Sequence, residues 1–143
     1  MTVVIEQEHQ MLKELVQRFV RESLVPLEPA LLAREIAGEG LRLTDDENAH
    51  LYQVSRELDL WGLDAPEEMG GFDLPTVAMV GVNEALGHTI VPFHLPPDSP
   101  NLRMLLETAN DDQRERYLAP YAKGLTQSAI AISEPGAGPI RPG

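Results

Sequence analysis

The chain has 143 residues, 43% hydrophobic, 24% charged and 5% aromatic, which predicts one soluble globular domain with an aliphatic, helix-rich core. Twenty-three acidic residues against eleven basic ones give a net charge of −12 with no basic cluster, so nucleic acid and anionic membrane surfaces are excluded as expected partners. Cysteine is absent, which excludes disulfides and thiolate chemistry, and the early charges of "MTVVIEQEHQMLKELV" read neither as a signal peptide nor as a spanning helix, so a cytoplasmic protein is expected.

Met11, Leu12, Leu15, Val16, Phe19, Val20 and Leu24 recur at helical spacing, with charged residues on the other face, and predict an amphipathic first helix. Pro26 and Pro29 lack backbone donors, so "LVPLEPALLARE" is expected to continue it with a kink until "AGEG" opens a loop. Thr44 and Glu47 have capping-box spacing, and Asp45 and Asp46 suit the positive end of a helix dipole. The helix they start carries Leu51, Val54, Leu58 and Trp61 as its apolar stripe and gives way to a long polar turn, "GLDAPEEMGGFD".

Asp73 and Pro75 are spaced as an N-cap and a first-turn proline for a third helix, "PTVAMVGVNEALG", whose apolar character on most sides predicts a central position. After the proline-rich "HTIVPFHLPPDSP", Ser99 and Pro100 open a short helix through Leu102, Leu105 and Leu106. A further helix is expected from about Asp111 to Lys123, with Gly124 as its stop. "TQSAIAIS" then alternates and predicts a strand, so the expected class is all-α: a bundle of four to six helices over residues 1–125, with 126–143 opening a β domain.

Few residues point to chemistry on spacing alone. His9, His50, His88 and His94 fall in different elements without metal-ligand spacing, so no metal site is expected, and His88 reads as a helix-end residue. Asp45/Asp46 and Glu67/Glu68 read as solvated charge rather than as an acid–base pair. Ser133 lacks a GxSxG context and a histidine partner, and "EPGAG" has neither the Walker lysine nor GxGxxG spacing, so by itself it reads as a terminal turn.

Taken in order, "APEEMGGFDLP", "LGHTIVPF", "DDQRERYLAPYAKG" and "AIAISEPGAG" resemble the N-terminal half of the acyl-CoA dehydrogenase family. "PEEMGG" is similar to the family's PEEYGG turn and "ISEPGAG" to its TEPGAG segment, while "PDSPNLRMLL" resembles a branch with PD-x-x-N at this point. The resemblance implies a helical domain followed by a β domain and a four-helix bundle, with FAD held between the latter two. It implies that Ile130 and Ile132 meet the flavin through their backbone and Ser133 through its hydroxyl, with Ile130 departing from the aromatic residue often found there.

The family's reaction is a concerted α,β-dehydrogenation of acyl-CoA thioesters, in which a carboxylate takes the α proton and the flavin accepts the β hydride. Its glutamate base lies in the C-terminal half, so no residue here is assigned as catalytic. Where the family continues GAGSD this chain reads "GAGPIRPG", and Pro139 supplies neither a hydroxyl nor a backbone donor. The expectation is an N-terminal portion without dehydrogenase turnover of its own; the alternative is a stand-alone helical interaction module. Either leaves an apolar face that favours a homo-oligomer or a complementary dehydrogenase chain.

Overall fold

The computed structural model describes residues 7–97 and 99–129, and all regular structure among them is helical. Helix α1 (Gln7–Phe19) buries Val16 and Phe19 and runs without a break into a widened turn at Val20–Leu24, a tight turn at Val25–Leu27 and then α2 (Glu28–Ile36). Pro26 has no N–H to offer the preceding turn, and its ring crowds the carbonyl four residues back; widening the turn relieves both. The kinked continuation expected from the sequence is thus a change of helical pitch. The same solution recurs ahead of Pro120, where α6 (Asp111–Gln113) widens at Arg114–Leu118 before α7 (Ala119–Ala122).

Helix α3 (Asp45–Glu57) starts on the capping box read from the sequence: Thr44 Oγ1 accepts from the Glu47 amide, and the Glu47 carboxylate accepts from the Thr44 amide at 2.8 Å. Glu47 also takes a two-pronged contact from Arg34, with Nη1 to Oε2 at 2.8 Å and Nη2 to Oε1 at 2.5 Å, which ties the end of α2 to the start of α3. The Arg34 hydrogen bond, helped by the Thr44 amide, lowers the Glu47 carboxyl to about 2. A folded-state value below the ordinary 4.5 contributes stability above that ordinary value and loses it as pH falls toward 2. Glu47→Gln should therefore lower the urea midpoint at neutral pH, with the gap to the parent closing between pH 5 and 2. A gap independent of pH in that window would remove the ionised pair from the explanation.

Helix α4 (Thr76–Leu86) packs along α1, burying Ala78, Val82 and Ala85. Lys13 on α1 bridges to Glu84 on α4 at 2.8 Å, and that bond lowers the Glu84 carboxyl. Helix α5 (Ser99–Thr108) and the α6–α7 rod form the second half, with Leu102, Leu118, Tyr121 and Ala122 as a small core beside the main one. An Asn110/Gln113 capping box, a start signal not read from the sequence, begins the last rod. With α1 and α2 counted as one broken rod, the described residues form five, within the four to six expected.

Four expectations need correction. Met11 is 61% exposed, because the buried face of α1 follows Val16, Phe19 and Val20 and leaves Met11 on the far side. Trp61 is not on the α3 stripe: the helix ends at Glu57, and Asp59 and Gly62 both turn with positive φ. Helix α4 is not enclosed, since Val80 is 61% exposed and Val77 also faces out. Asp73 does not cap it; Pro75 holds the N-cap place without a side-chain bond, and Asp73, at φ 44°, faces Arg103 instead. Residues 126–129 carry no regular structure, and the rest of the expected strand lies outside the described residues.

Candidate functional site

The polar turn between α3 and α4 closes on itself. The Phe72 amide donates to the Gly62 carbonyl (2.9 Å), Asp73 to Ala65 (2.8 Å) and Leu74 to Leu63 (2.9 Å). Two adjacent glycines permit this for different reasons. Gly70 needs its left-handed φ of 80° but has open space around it, whereas a Cβ on Gly71 would run into the Ala65 carbonyl. Arg103 on α5 fastens the outside of the turn, donating to the Asp64 carbonyl (2.7 Å) and to Asp73 Oδ1 (3.3 Å). The Gly62 amide donates to the Pro96 carbonyl (2.8 Å), which joins the turn to the proline-rich segment.

Between this turn, α4 and the end of α7 lies a cavity of about 620 Å³, within the usual size of a small-molecule site. Its apolar wall includes Trp61, Met79, Val82, Leu86 and Pro97; Tyr52, Asn83, His94, Tyr121, Thr126, Gln127 and Ser128 add polar groups to the lining. Asp64 is its sole carboxylate among the described residues, and no lysine or arginine lines it. Aromatic rings tie this wall into the main core, with Phe19 against Phe93 (5.8 Å), Phe93 against Tyr52 (5.5 Å) and Tyr52 edge-on to Trp61 (6.1 Å).

Trp61 also latches the far rod. Its Nε1 donates to the Ala122 carbonyl (3.2 Å), while Arg56 lies over its ring (3.5 Å) and donates to the Lys123 carbonyl (2.5 Å). These bonds satisfy carbonyls that the end of α7 leaves free. Gly124, expected from the sequence as a helix stop, is required twice over: its φ is 70°, and a Cβ there would collide with the Trp61 ring. Beyond it, Ser128 Oγ accepts from Asn101 Nδ2 (2.8 Å) and donates to Tyr121 Oη (3.0 Å).

Of the residues singled out in the sequence, Ile130, Ile132, Ser133 and the glycine turn up to Pro139 lie outside the described residues. His94 borders the cavity, His9 is on α1, His50 is on α3 and His88 follows α4; no group of three metal-ligating side chains occurs among the described residues. Asp45, Asp46, Glu67 and Glu68 are all exposed at the starts of helical turns. Asn101 is the last position of the PD-x-x-N motif, but its contact with Ser128, the Ser128–Tyr121 bond and the Arg56–Trp61 latch were not read from the sequence. Their partners are 7 to 67 residues apart, beyond any local spacing rule. No helix of the described residues is long and apolar enough to cross a membrane.

Residues 6–125 match the family described as acyl-CoA dehydrogenase, N-terminal domain. (R)-Benzylsuccinyl-CoA dehydrogenase of Thauera aromatica is 36% identical over 142 residues, covering 94% of this chain and 35% of that one. The mitochondrial short-chain specific acyl-CoA dehydrogenase of Rattus norvegicus is 25% identical, over 96% of this chain and 32% of its own length. A solved structure from Mycobacterium abscessus, provisionally assigned as an acyl-CoA dehydrogenase, shares the fold with a TM-score of 0.77 at 23% identity, over 95% of this chain and 36% of that one. The chain thus spans about a third of the length of the curated relatives it matches.

Proposed function

Because the chain belongs to the acyl-CoA dehydrogenase family, through its N-terminal domain, we propose that it forms the helical wall of an acyl-thioester site in an FAD-dependent α,β-dehydrogenase. Residues 1–125 would be that wall and 126–143 the entry to the next domain. The observation that carries this reading is the position of the 620 Å³ cavity: its lining includes residues 126–128, which immediately precede Ile130, Ile132 and Ser133 in the sequence. An acyl chain needs apolar surface, which Trp61, Met79, Val82 and Leu86 supply, while the polar side chains of the same lining suit the thioester end.

The described residues do not by themselves fit FAD. A dinucleotide carries a pyrophosphate, and the cavity offers no cationic side chain to meet it. The base that removes the α proton would likewise come from elsewhere in the enzyme, and rate enhancement requires both groups on one frame. These residues alone therefore carry out no turnover. Exposed Val80, Phe72, Met104 and Leu125 would be covered by further domains or by a second subunit.

The test compares the 143-residue chain with a chimera in which it replaces the matching third of the Thauera enzyme. The chain alone should purify colourless and reduce no artificial electron acceptor when given acyl-CoA esters. The chimera should retain flavin and show acyl-CoA-dependent reduction. Turnover by the chain alone, or a folded flavin-containing chimera inert toward a panel of acyl-CoA esters, would overturn the proposal.

A further inference from the structure

The chain holds one tryptophan and three tyrosines, and the cavity takes the tryptophan and two of the tyrosines: Tyr52, Trp61 and Tyr121 all line it. For a chain only 5% aromatic, this gathers rings at one place. Each of the three is held by a further contact. Tyr52 lies 5.5 Å from Phe93 and edge-on to Trp61 at 6.1 Å, Trp61 Nε1 donates to the Ala122 carbonyl (3.2 Å), and the Tyr121 hydroxyl accepts from Ser128 Oγ (3.0 Å).

The charges narrow the choice of guest. Asp64 is the carboxylate of the lining, and no described lysine or arginine joins it there. Two guanidinium groups close to this wall are engaged elsewhere: Arg103 on the Asp64 carbonyl (2.7 Å) and Asp73 Oδ1 (3.3 Å), Arg56 on the Lys123 carbonyl (2.5 Å) and the Trp61 ring. A guest with its own carboxylate would therefore meet like charge in a partly desolvated space, without a counter-ion. A guest ring instead meets rings already fixed in place, and gains edge or offset contacts beyond plain apolar burial without having to order the wall. A saturated group of the same shape gains the burial alone.

We propose that the cavity selects an acyl group ending in an uncharged aromatic ring and rejects one that carries a free carboxylate, with Asp64 as the rejecting group. The inference rests on the function proposed above and names the substrate class of that site.

The experiment titrates the chain itself, by NMR, with three amides of one skeleton: 3-phenylpropanamide, 3-cyclohexylpropanamide and 3-(4-carboxyphenyl)propanamide. Shifts should centre on the Trp61 indole N–H, with the phenyl amide bound about fivefold tighter than the cyclohexyl amide and about tenfold tighter than the carboxylated one at neutral pH. Tyr52→Leu or Tyr121→Leu should reduce the first ratio to about twofold, and Asp64→Asn should bring the second below about threefold. The unsubstituted chain already gives the deciding ratios, so a variant that fails to fold does not remove the test. Equal binding of the phenyl and cyclohexyl amides, a carboxylated amide bound as tightly as the phenyl one, or no shift near Trp61 would each overturn the proposal. The Thauera chimera separates this from the function reading. A chimera inert toward every acyl-CoA ester defeats that reading, and the amide ratios still decide the ring selection; a chimera that turns over esters while the chain shows no ratio defeats the proposal alone.

Discussion

Replacing Phe19 by alanine is expected to remove about 3–5 kcal/mol of stability, the usual cost of deleting a buried aromatic ring. Phe19 is 1% exposed at the last residue of α1, and its ring is the first in the series that runs through Phe93 and Tyr52 to Trp61. The cavity left behind cannot close easily, because the neighbouring turn is already widened to admit Pro26 and Val20 and Leu24 are packed within it. Domains of this size hold only about 5–15 kcal/mol in total, so the melting temperature should fall by on the order of 10 °C. Phe19→Leu keeps much of the volume and should cost about 1.5 kcal/mol or less. Thermal unfolding followed by circular dichroism separates the two; equal losses would mean that the ring is not the joint between α1 and the cavity wall.

Gly71→Ala is expected to be the most damaging change in the turn between α3 and α4, at about 3 kcal/mol. The added Cβ meets backbone, the Ala65 carbonyl, which also accepts from the Asp73 amide, so relief requires opening the turn. Its neighbour supplies the internal comparison. Gly70→Ala meets nothing but must hold a φ of 80°, which costs roughly 1–2 kcal/mol. The order of the two urea midpoints is therefore the result to watch, with slopes unchanged if the rest of the fold is intact. A Gly71 variant as stable as the Gly70 variant would show that the turn is not closed as tightly as its hydrogen bonds indicate. Because the cavity borders this turn at Trp61 and Asp64, the same substitution should also disturb the proposed acyl site.

Several helices were legible in the sequence because their signals are local. Thr44 with Glu47, Gly124 after Lys123, and the spacing of Val16, Phe19 and Val20 are all local, and the structure uses each of them. Errors arose where long-range contacts decide. Asp73 has the chemistry of a cap, but Arg103 on α5 draws it away; Trp61 continues a helical spacing, but its indole is needed against the Ala122 carbonyl. Helix α4 reads as buried from its composition, while Val80 remains exposed because α1 covers only one side of it. The cavity itself had no signature, since its lining comes from five separated stretches. Only the resemblance carried by "PEEMGG" and "ISEPGAG" pointed to a site there, and the residues it named lie beyond 129.

The latch at the end of α7 gives this protein an optical property that its composition alone would not disclose. Trp61 is the chain's single tryptophan, and it sits where Arg56, the last rod and the cavity wall come together. Its ultraviolet emission therefore originates at one known seam instead of being averaged over the molecule. Detachment of the last rod removes the Ala122 carbonyl from the indole N–H and the Lys123 carbonyl that anchors Arg56 beside the ring, whereas filling of the cavity places a ligand against the ring itself. The two events act on one chromophore through different contacts, so spectral position and quenching by added solutes distinguish them without any attached label.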